Sequence, residues 1–447
     1  MNNQLPEAFT SRIKQYLNED ADAFFLSLNS ATPVSIRINR EKNVGLNYSS
    51  IVPWCDTGFY LNERPVFTLD PLFHAGCYYV QEASSMFLGF ALEQTIDKKA
   101  ALTVLDLCAA PGGKSTHILS CISKESTLIS NEIIPSRNKI LRENLSKWGF
   151  ANSIVTQNET SHFASSGILF DAIVVDAPCS GEGLFRKDPA AINEWSVDNV
   201  KLCSTRQNNI LEEIKDCLAQ NGFLFYSTCT YEPAENDDQI AQLLSSGEFE
   251  LVALKNIPEG ITTTSYGYQF YPHKTKGEGF YLSVLKKTSP SYSSSTTRDK
   301  NKSKEPKSSS DTQLKSFLKH PEFFTLMQFN EMTLALPVHT YSVLQQIGNK
   351  LHIKSAGVTM GTTKGKDFIP AHELALSIDL NTDNNRIELT IEDALIYLKC
   401  DTIKVNSADK GWAVVTYQNQ ALGWIKILQG RVNNYFPKEL RIKMQIK

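Results

Sequence analysis

Between residues 98 and 287 the chain alternates between short apolar runs and helical patterns, and this alternation limits the fold more than any other feature. Apolar runs fall at 104–107, 128–130, 173–175 and 223–226, and helical spacing at 114–123, 135–148, 198–220 and 234–245. Strands separated by helices of this length pair in parallel, with the helices returning over both faces of the sheet. A last pair of runs, 249–254 and 280–285, extends the same unit. The predicted class is therefore α/β, with a Rossmann-like doubly wound sheet, and ligands are expected at the carboxyl ends of its strands.

The first of those strand ends carries the segment Asp106-Leu107-Cys108-Ala109-Ala110-Pro111-Gly112-Gly113-Lys114-Ser115-Thr116. Its glycines allow a sharp turn into a helix and close approach of a ligand to the backbone. The Gly-Lys-Ser step suggests a phosphate loop, but that motif needs a glycine where Cys108 stands, and the Gly-x-Gly-x-x-Gly fingerprint is absent too. An acidic residue closing the second strand of such a fold can bond ribose hydroxyls, and Glu132 occupies that place.

Two of the nine cysteines lie in short motifs at later strand ends: Cys179 in Asp176-Ala177-Pro178-Cys179-Ser180-Gly181-Glu182-Gly183, and Cys229 in Tyr226-Ser227-Thr228-Cys229-Thr230. Cys55, Cys77, Cys121, Cys203, Cys217 and Cys400 read as small core or surface residues. A thiolate can add to carbon 6 of a cytosine ring, which makes carbon 5 nucleophilic enough to take a methyl group. The adduct must afterwards lose the carbon-5 proton and expel the sulfur, a step that a second thiol can assist.

Together the three motifs resemble the NOL1/NOP2/Sun family of RNA 5-methylcytosine methyltransferases, over roughly residues 30 to 290. The resemblance implies a class I methyltransferase fold with a seven-stranded sheet and S-adenosyl-L-methionine as cofactor. It implies that Cys229 is the nucleophile, that Cys179 assists release, and that Asp176 contacts both the target cytosine and the donor side. DNA enzymes of related chemistry use the Pro-Cys thiol alone, so two thiols favour RNA. The donor site implied is Cys108, Ala109, Ala110, Pro111, Gly112, Gly113, Lys114, Glu132, Asp176 and, after the third strand, Glu159, where the family more often has Asp. Lys114 is expected to add positive charge near the nucleophile. Arg186-Lys187 suits either a phosphate contact or a solvated pair, and the target base must be unpaired or flipped.

The chain divides further. Residues 1–97 read as a helical lead-in with Phe9, Ile13, Tyr16 and Leu17 at helical spacing, a strand at 34–39, and an apolar helix after Tyr78 that Ser84 or Ser85 could cap; the family resemblance implies that they are an N-terminal auxiliary RNA-binding region. The catalytic domain is 98–287. A Ser-, Thr- and Lys-rich linker spans 288–312, too poor in apolar residues to pack. A small mixed domain, 313–390, precedes a strand-rich tail, 391–447. The tail's Gly423-Trp424 and Gly430-Arg431-Val432-Asn433-Asn434-Tyr435-Phe436-Pro437 resemble the PUA-like RNA-binding domain of RsmF-type 16S rRNA methyltransferases.

Net charge is −3 over 447 residues, which by itself does not suggest a nucleic-acid protein. Its distribution does. Residues 98–240 hold 13 Lys and Arg against 18 Asp and Glu, whereas 401–447 hold 8 against 3. A basic tail on an acidic core would supply the phosphate attraction. No apolar run approaches a membrane span, no secretory signal is evident, and no Cys-x-x-Cys pair or His/Cys cluster suggests a metal. Odd, dispersed cysteines fit a reducing cytoplasm. The expected protein is a cytoplasmic monomer whose partner is RNA, either 16S rRNA or a small-subunit assembly intermediate, with neither DNA nor membrane. A tRNA enzyme and a non-catalytic ribosome-assembly factor are the competing readings.

Overall fold

A computed structural model describes residues 5–42, 45, 48–291, 314–365, 367–405 and 409–445. The expected linker falls, from residue 292 onward, outside the described residues. Two helices open the chain, α1 (Glu7–Leu17) and α2 (Ala21–Ser27). Strands β1 (Ser35–Ile38), β2 (Ser50–Val52), β3 (Cys55–Tyr60) and, after the short α3 (Pro71–His74), β4 (Tyr78–Val80) make an antiparallel sheet ordered β2-β3-β1-β4. The apolar helix α4 (Phe87–Thr95) follows a 3-10 turn over Ser84–Met86. The carboxylate of Glu82, rather than Ser84 or Ser85, accepts the free backbone N–H groups of Ser84 (2.9 Å) and Ser85 (3.0 Å) at that turn.

The central unit runs β5 (Thr103–Asp106), α5 (Gly113–Cys121), β6 (Thr127–Asn131), α6 (Pro135–Trp148), β7 (Ser153–Thr156), α7 (Thr160–Ser166), β8 (Phe170–Asp176), α8 (Pro189–Glu194), α9 (Val197–Ile214), β9 (Leu218–Thr228) and α10 (Asp237–Ser245). It ends with β10 (Phe249–Leu251), β11 (Thr262–Thr263), β12 (Tyr268–Phe270) and β13 (Phe280–Lys287). Strands β9-β8-β5-β6-β7 are mutually parallel. Order reverses between β5 and β8, so the carboxyl ends of these two strands flank the crevice where such sheets bind ligands. Both faces are buried, and side chains alternate between them. Val104, Ala172, Val174 and Phe225 pack with α4, α5 and α6, while Leu105, Ile173, Val175, Leu224 and Tyr226 pack with α7, α9 and α10. Each fully buried Val, Leu, Ile or Phe among them contributes about 1.5–3 kcal/mol of burial free energy.

The sheet has ten strands, not the seven expected. Antiparallel β13, β12 and β11 extend one edge, with β10 also on β13. The other edge is closed from beyond the linker. After β14 (Phe324–Phe329), β15 (Met332–Pro337) and α11 (Val338–Ile347), strand β16 (Ile353–Ala356) pairs antiparallel with β7. Val343, Leu344 and Ile347 of α11 join the apolar cluster under that face. Residues 313–390 thus complete the catalytic sheet as well as forming a sheet of their own, β14-β15-β17-β18, with β17 (Val358–Lys364) and β18 (Asp367–Pro370).

The helix expected over 198–220 stops at Ile214, and β9 begins at Leu218. Its buried stripe, Val200, Cys203, Gln207, Leu211 and Ile214, continues in register into Cys217 and Leu218, so periodicity alone runs past the true end. Downstream lie α12 (His372–Leu376), β19 (Arg386–Glu388), α13 (Ile391–Leu398), β20 (Gly411–Tyr417), β21 (Gln420–Leu428) and β22 (Arg431–Asn434). The tail's sheet, β19-β20-β21-β22, starts at Arg386, ahead of the residue-391 boundary drawn from sequence.

Candidate active site

The turn after β5 is pinned from three sides. Leu107 N–H donates to Val174 O of β8 (2.9 Å) and Ala109 N–H to Asn131 O of β6 (2.8 Å). From α6, Asn144 Nδ2 donates to Pro111 O and Arg137 Nη2 to Ala110 O, both at 2.9 Å. Gly112 has φ +112°, a conformation L side chains rarely adopt, and a Cβ there would stand 3.3 Å from Leu141. Burial, then the charges of Asp106, Asp176 and Glu132, push the Cys108 thiol well up. Asp106 is fully buried beneath the turn; Ser115 Oγ donates to its Oδ2 at 2.6 Å, and Oδ1 has no protein partner.

The acidic residues around the turn differ. Glu132, just past β6, is 3% exposed; its Oε1 accepts the Ile134 N–H at 2.9 Å and its Oε2 lies 3.3 Å from Arg137. Glu159 is exposed at the start of α7 and makes no capping bond there. The buried polar residue beside it is Asn158, which ties β6 to β7 through Asn131. Asp176, the last residue of β8, accepts from Ser227 Oγ at 2.8 Å and pairs with Lys114 Nζ at 2.8 Å. Burial disfavours the Lys114 charge, but Asp176, Asp106 and the Cys229 sulfur outweigh it and hold the ammonium above its ordinary value.

The two motif cysteines meet. Cys179 Sγ and Cys229 Sγ are 3.1 Å apart, and the Cys229 N–H points at the Cys179 sulfur at 3.4 Å. The hydrogen bond to Cys229, then burial, then the charges of Cys229 and Glu235 push the Cys179 thiol far up; either sulfur can be the donor in the contact between them. The loops are docked by Ser180 Oγ with Thr230 Oγ1 (3.0 Å) and by the Gly183 N–H on Cys229 O (2.8 Å). A Cβ at Gly183 would lie 2.5 Å from Gly279 O, so only glycine fits this crossing.

One expectation is corrected. Arg186 is not available to a phosphate: it is buried, paired with Glu278 at 2.9 Å, and donates to Gly277 O at 2.6 Å. Lys187 alone of that pair is exposed. Sequence reasoning also missed two arginines that fix the site from the N-terminal region. Arg37 of β1, with no exposure, donates to Gln81 Oε1 (2.8 Å), Thr116 Oγ1 (2.6 Å) and Gly113 O (3.3 Å), and stacks over Trp148. Arg12 of α1 pairs with Glu182 at 2.7 Å and with Glu232, next to the Cys179 and Cys229 motifs. A single charge set between Ile36 and Ile38 in a short strand was the one available signal for Arg37.

Among the described residues no helix is long and apolar enough to cross a membrane. Three family models match in order: the N-terminal domain of 16S rRNA methyltransferase RsmF over residues 5–83, 16S rRNA methyltransferase RsmB/F over 93–286, and the methyltransferase RsmF PUA domain over 384–442. A ribosomal RNA small subunit methyltransferase F from Shewanella sediminis is 30% identical over 440 residues, covering 91% of this chain and 90% of its own. The enzyme of that name from Escherichia coli O81 is 28% identical and covers 97% of this chain and 96% of its own. A solved methyltransferase homologue from Pyrococcus horikoshii superposes with a TM-score of 0.56 at 28% identity, over 64% of this chain and 96% of its own. Fold, motif geometry and near full-length likeness agree: this chain belongs to the 16S rRNA methyltransferase RsmB/F family.

Proposed function

We propose that the protein methylates carbon 5 of a cytosine in 16S rRNA, through a covalent bond between Cys229 and carbon 6. The observation that carries this reading is the 3.1 Å sulfur pair at the strand ends beside the Lys114–Asp176 ion pair. The donor residues fit S-adenosyl-L-methionine: a turn of small residues ending in Gly112 and Gly113, a buried carboxyl oxygen of Asp106 lacking a protein partner, and the buried carboxylate of Glu132 one strand over. Cys108, Ala109, Ala110, Pro111, Gly112, Gly113, Lys114, Glu132, Glu159 and Asp176 would hold it. When bound, it supplies the methyl group.

The chain's own residues do the rest. Asp176, fixed by Ser227 and Lys114, accepts a hydrogen bond from the cytosine amino group and orients the ring. The Lys114 ammonium, held charged by Asp176, adds positive charge near the Cys229 sulfur. Cys229 Sγ adds to carbon 6, and the ring's electron pair becomes available at carbon 5. After methylation the carbon-5 proton departs to solvent. Its electron pair restores the ring double bond, and the carbon–sulfur pair returns to Cys229. Cys179, kept protonated, donates a hydrogen bond to the leaving sulfur. Both sulfurs must stay reduced, which supports a cytoplasmic setting. One chain carries both thiols, the donor turn and the tail, so the reading needs only a monomer.

Denaturing gels with labelled rRNA test this reading. Cys229→Ala should give neither adduct nor product. Cys179→Ala should accumulate a slow band of RNA joined through Cys229. A trapped band in Cys229→Ala alone would reverse the roles. Bisulfite sequencing of a deletion strain should show a cytosine in 16S rRNA losing its mark, and loss confined to tRNA would overturn the substrate.

A further inference from the structure

Cys179 is gripped through both peptide groups that flank it, and neither grip belongs to the motifs that carry the chemistry. On one side, Gln207 Nε2 of α9 donates to Pro178 O at 2.9 Å. On the other, the Ser180 N–H donates to Glu235 Oε2 at 2.9 Å. The two grips are joined, because the same Gln207 Nε2 also donates to that Glu235 oxygen at 2.9 Å. Glu235 is in turn anchored to the strand that bears Cys229, since Tyr226 OH donates to its backbone carbonyl at 2.6 Å. Gln207 and Glu235 are both fully buried. Removing a carboxyl from water is costly unless it is hydrogen-bonded, and Glu235 Oε1 makes no bond at all. A buried group so incompletely satisfied is a poor stabiliser of the fold, so its place calls for another explanation.

From this clamp we infer that Glu235 and Gln207 are positioning residues that hold Cys179 against Cys229 for release of the methylated base. The inference rests on the assignment of Cys179 to the release step. Sulfur is a weak donor and acceptor, so the thiol's hydrogen bond to the leaving sulfur depends on its direction. The rotation of the Cys179 side chain starts from a backbone fixed at residues 178 and 180. With the peptide on either side freed, the thiol can turn from the 3.1 Å contact, and the enzyme should still attack but fail to let go. Where it is charged, the Glu235 carboxyl, itself raised to about 7 by burial, also opposes ionisation of Cys179, which keeps the proton where release needs it.

The test uses the full-length protein with labelled 16S rRNA, comparing adduct, turnover and donor affinity. Glu235→Ala and Gln207→Met should each slow release about tenfold, the loss expected from one hydrogen bond to a charged group. Both should accumulate covalent RNA while donor affinity stays unchanged. Glu235→Gln keeps an acceptor for the Ser180 and Gln207 donors and should restore turnover to within about threefold of wild type, a smaller loss than one hydrogen bond. If Glu235→Ala does not fold, Gln207→Met decides alone. Slower turnover without adduct in a variant whose donor affinity also falls would make the clamp merely structural and overturn the inference. The underlying assignment fails separately: if Cys179→Ala itself traps no RNA, release does not run through this thiol. Trapping in Cys179→Ala with none in either clamp variant overturns the clamp alone.

Discussion

At the scale of single residues, Asp106 shows how the donor turn trades stability for a receptive site. Burial raises its carboxyl from 3.8 to about 7, against the opposing hydrogen bond from Ser115. The native state therefore holds this proton more tightly than the unfolded chain. The stabilising contribution is complete below the unfolded value near 3.8 and is lost as pH rises to about 7. Asp106→Asn keeps an acceptor for Ser115 and abolishes the titration. In ligand-free protein, the urea midpoint of the wild type should fall more between about pH 4 and pH 7 than that of Asp106→Asn; equal falls would clear Asp106 of the effect. The placement of residues was legible in the sequence where a turn or a strand end dictates it, as for Gly112, Glu132, Cys179 and Cys229. Arg186 was not, because Glu278, which takes it out of solvent, lies 92 residues away in the chain. Gln207 was hidden differently: it sits on the buried stripe of α9 between Cys203 and Leu211, where spacing reads only as core.

At the scale of elements, α1 does more than lead in. Phe9 and Ile13 pack with Phe24, Phe185, Trp195 and Tyr231, so the helix lies under the loop that follows Cys179. Its Arg12 answers the charge of Glu182, which is fully buried and also accepts from Trp195 Nε1 at 2.8 Å. Removing one partner of a buried pair strands the other, at a cost of about 3–5 kcal/mol. Arg12→Met should lose stability on that scale in urea unfolding, and Arg12→Met with Glu182→Gln should recover part of it. A loss below about 1 kcal/mol, the worth of a surface pair, would mean solvent already screens the contact. The helix itself was readable from its apolar spacing, as were β5, β6, β8 and β9. The sheet's edges were not. Thr262–Thr263 is too short to show alternation, and Ile353-Lys354-Ser355-Ala356 lacks an apolar stripe, because pairing with β7, not burial of a face, makes it a strand.

At the scale of the whole molecule, the basic tail is not an appendage. Ile36, Phe59 and Tyr78 of the N-terminal sheet and Leu72 of α3 share one apolar cluster with Leu395, Leu398, Leu422 and Ile425 of the tail. A second cluster joins Trp424 and Val414 to Phe324, Val358 and Met360. Deleting residues 391–447 would strip both clusters, so lost RNA binding after truncation could not be told from lost folding. Neutralising charge is a cleaner test of phosphate contact at residues that only face water. Arg431, Lys438, Arg441 and Lys443 are all exposed on this domain. Replacing the four by Gln should leave the urea midpoint and donor affinity as in wild type, because no buried contact is lost. If these residues meet RNA phosphates, each lost contact releases fewer counterions, and the plot of log affinity against log salt flattens by about 0.7–0.9 per contact. Fluorescence anisotropy of a 16S rRNA fragment at several salt concentrations measures that slope. An unchanged slope would assign the tail to holding the N-terminal sheet, and Arg37 with it, against the donor turn, and would leave RNA attraction to other surfaces.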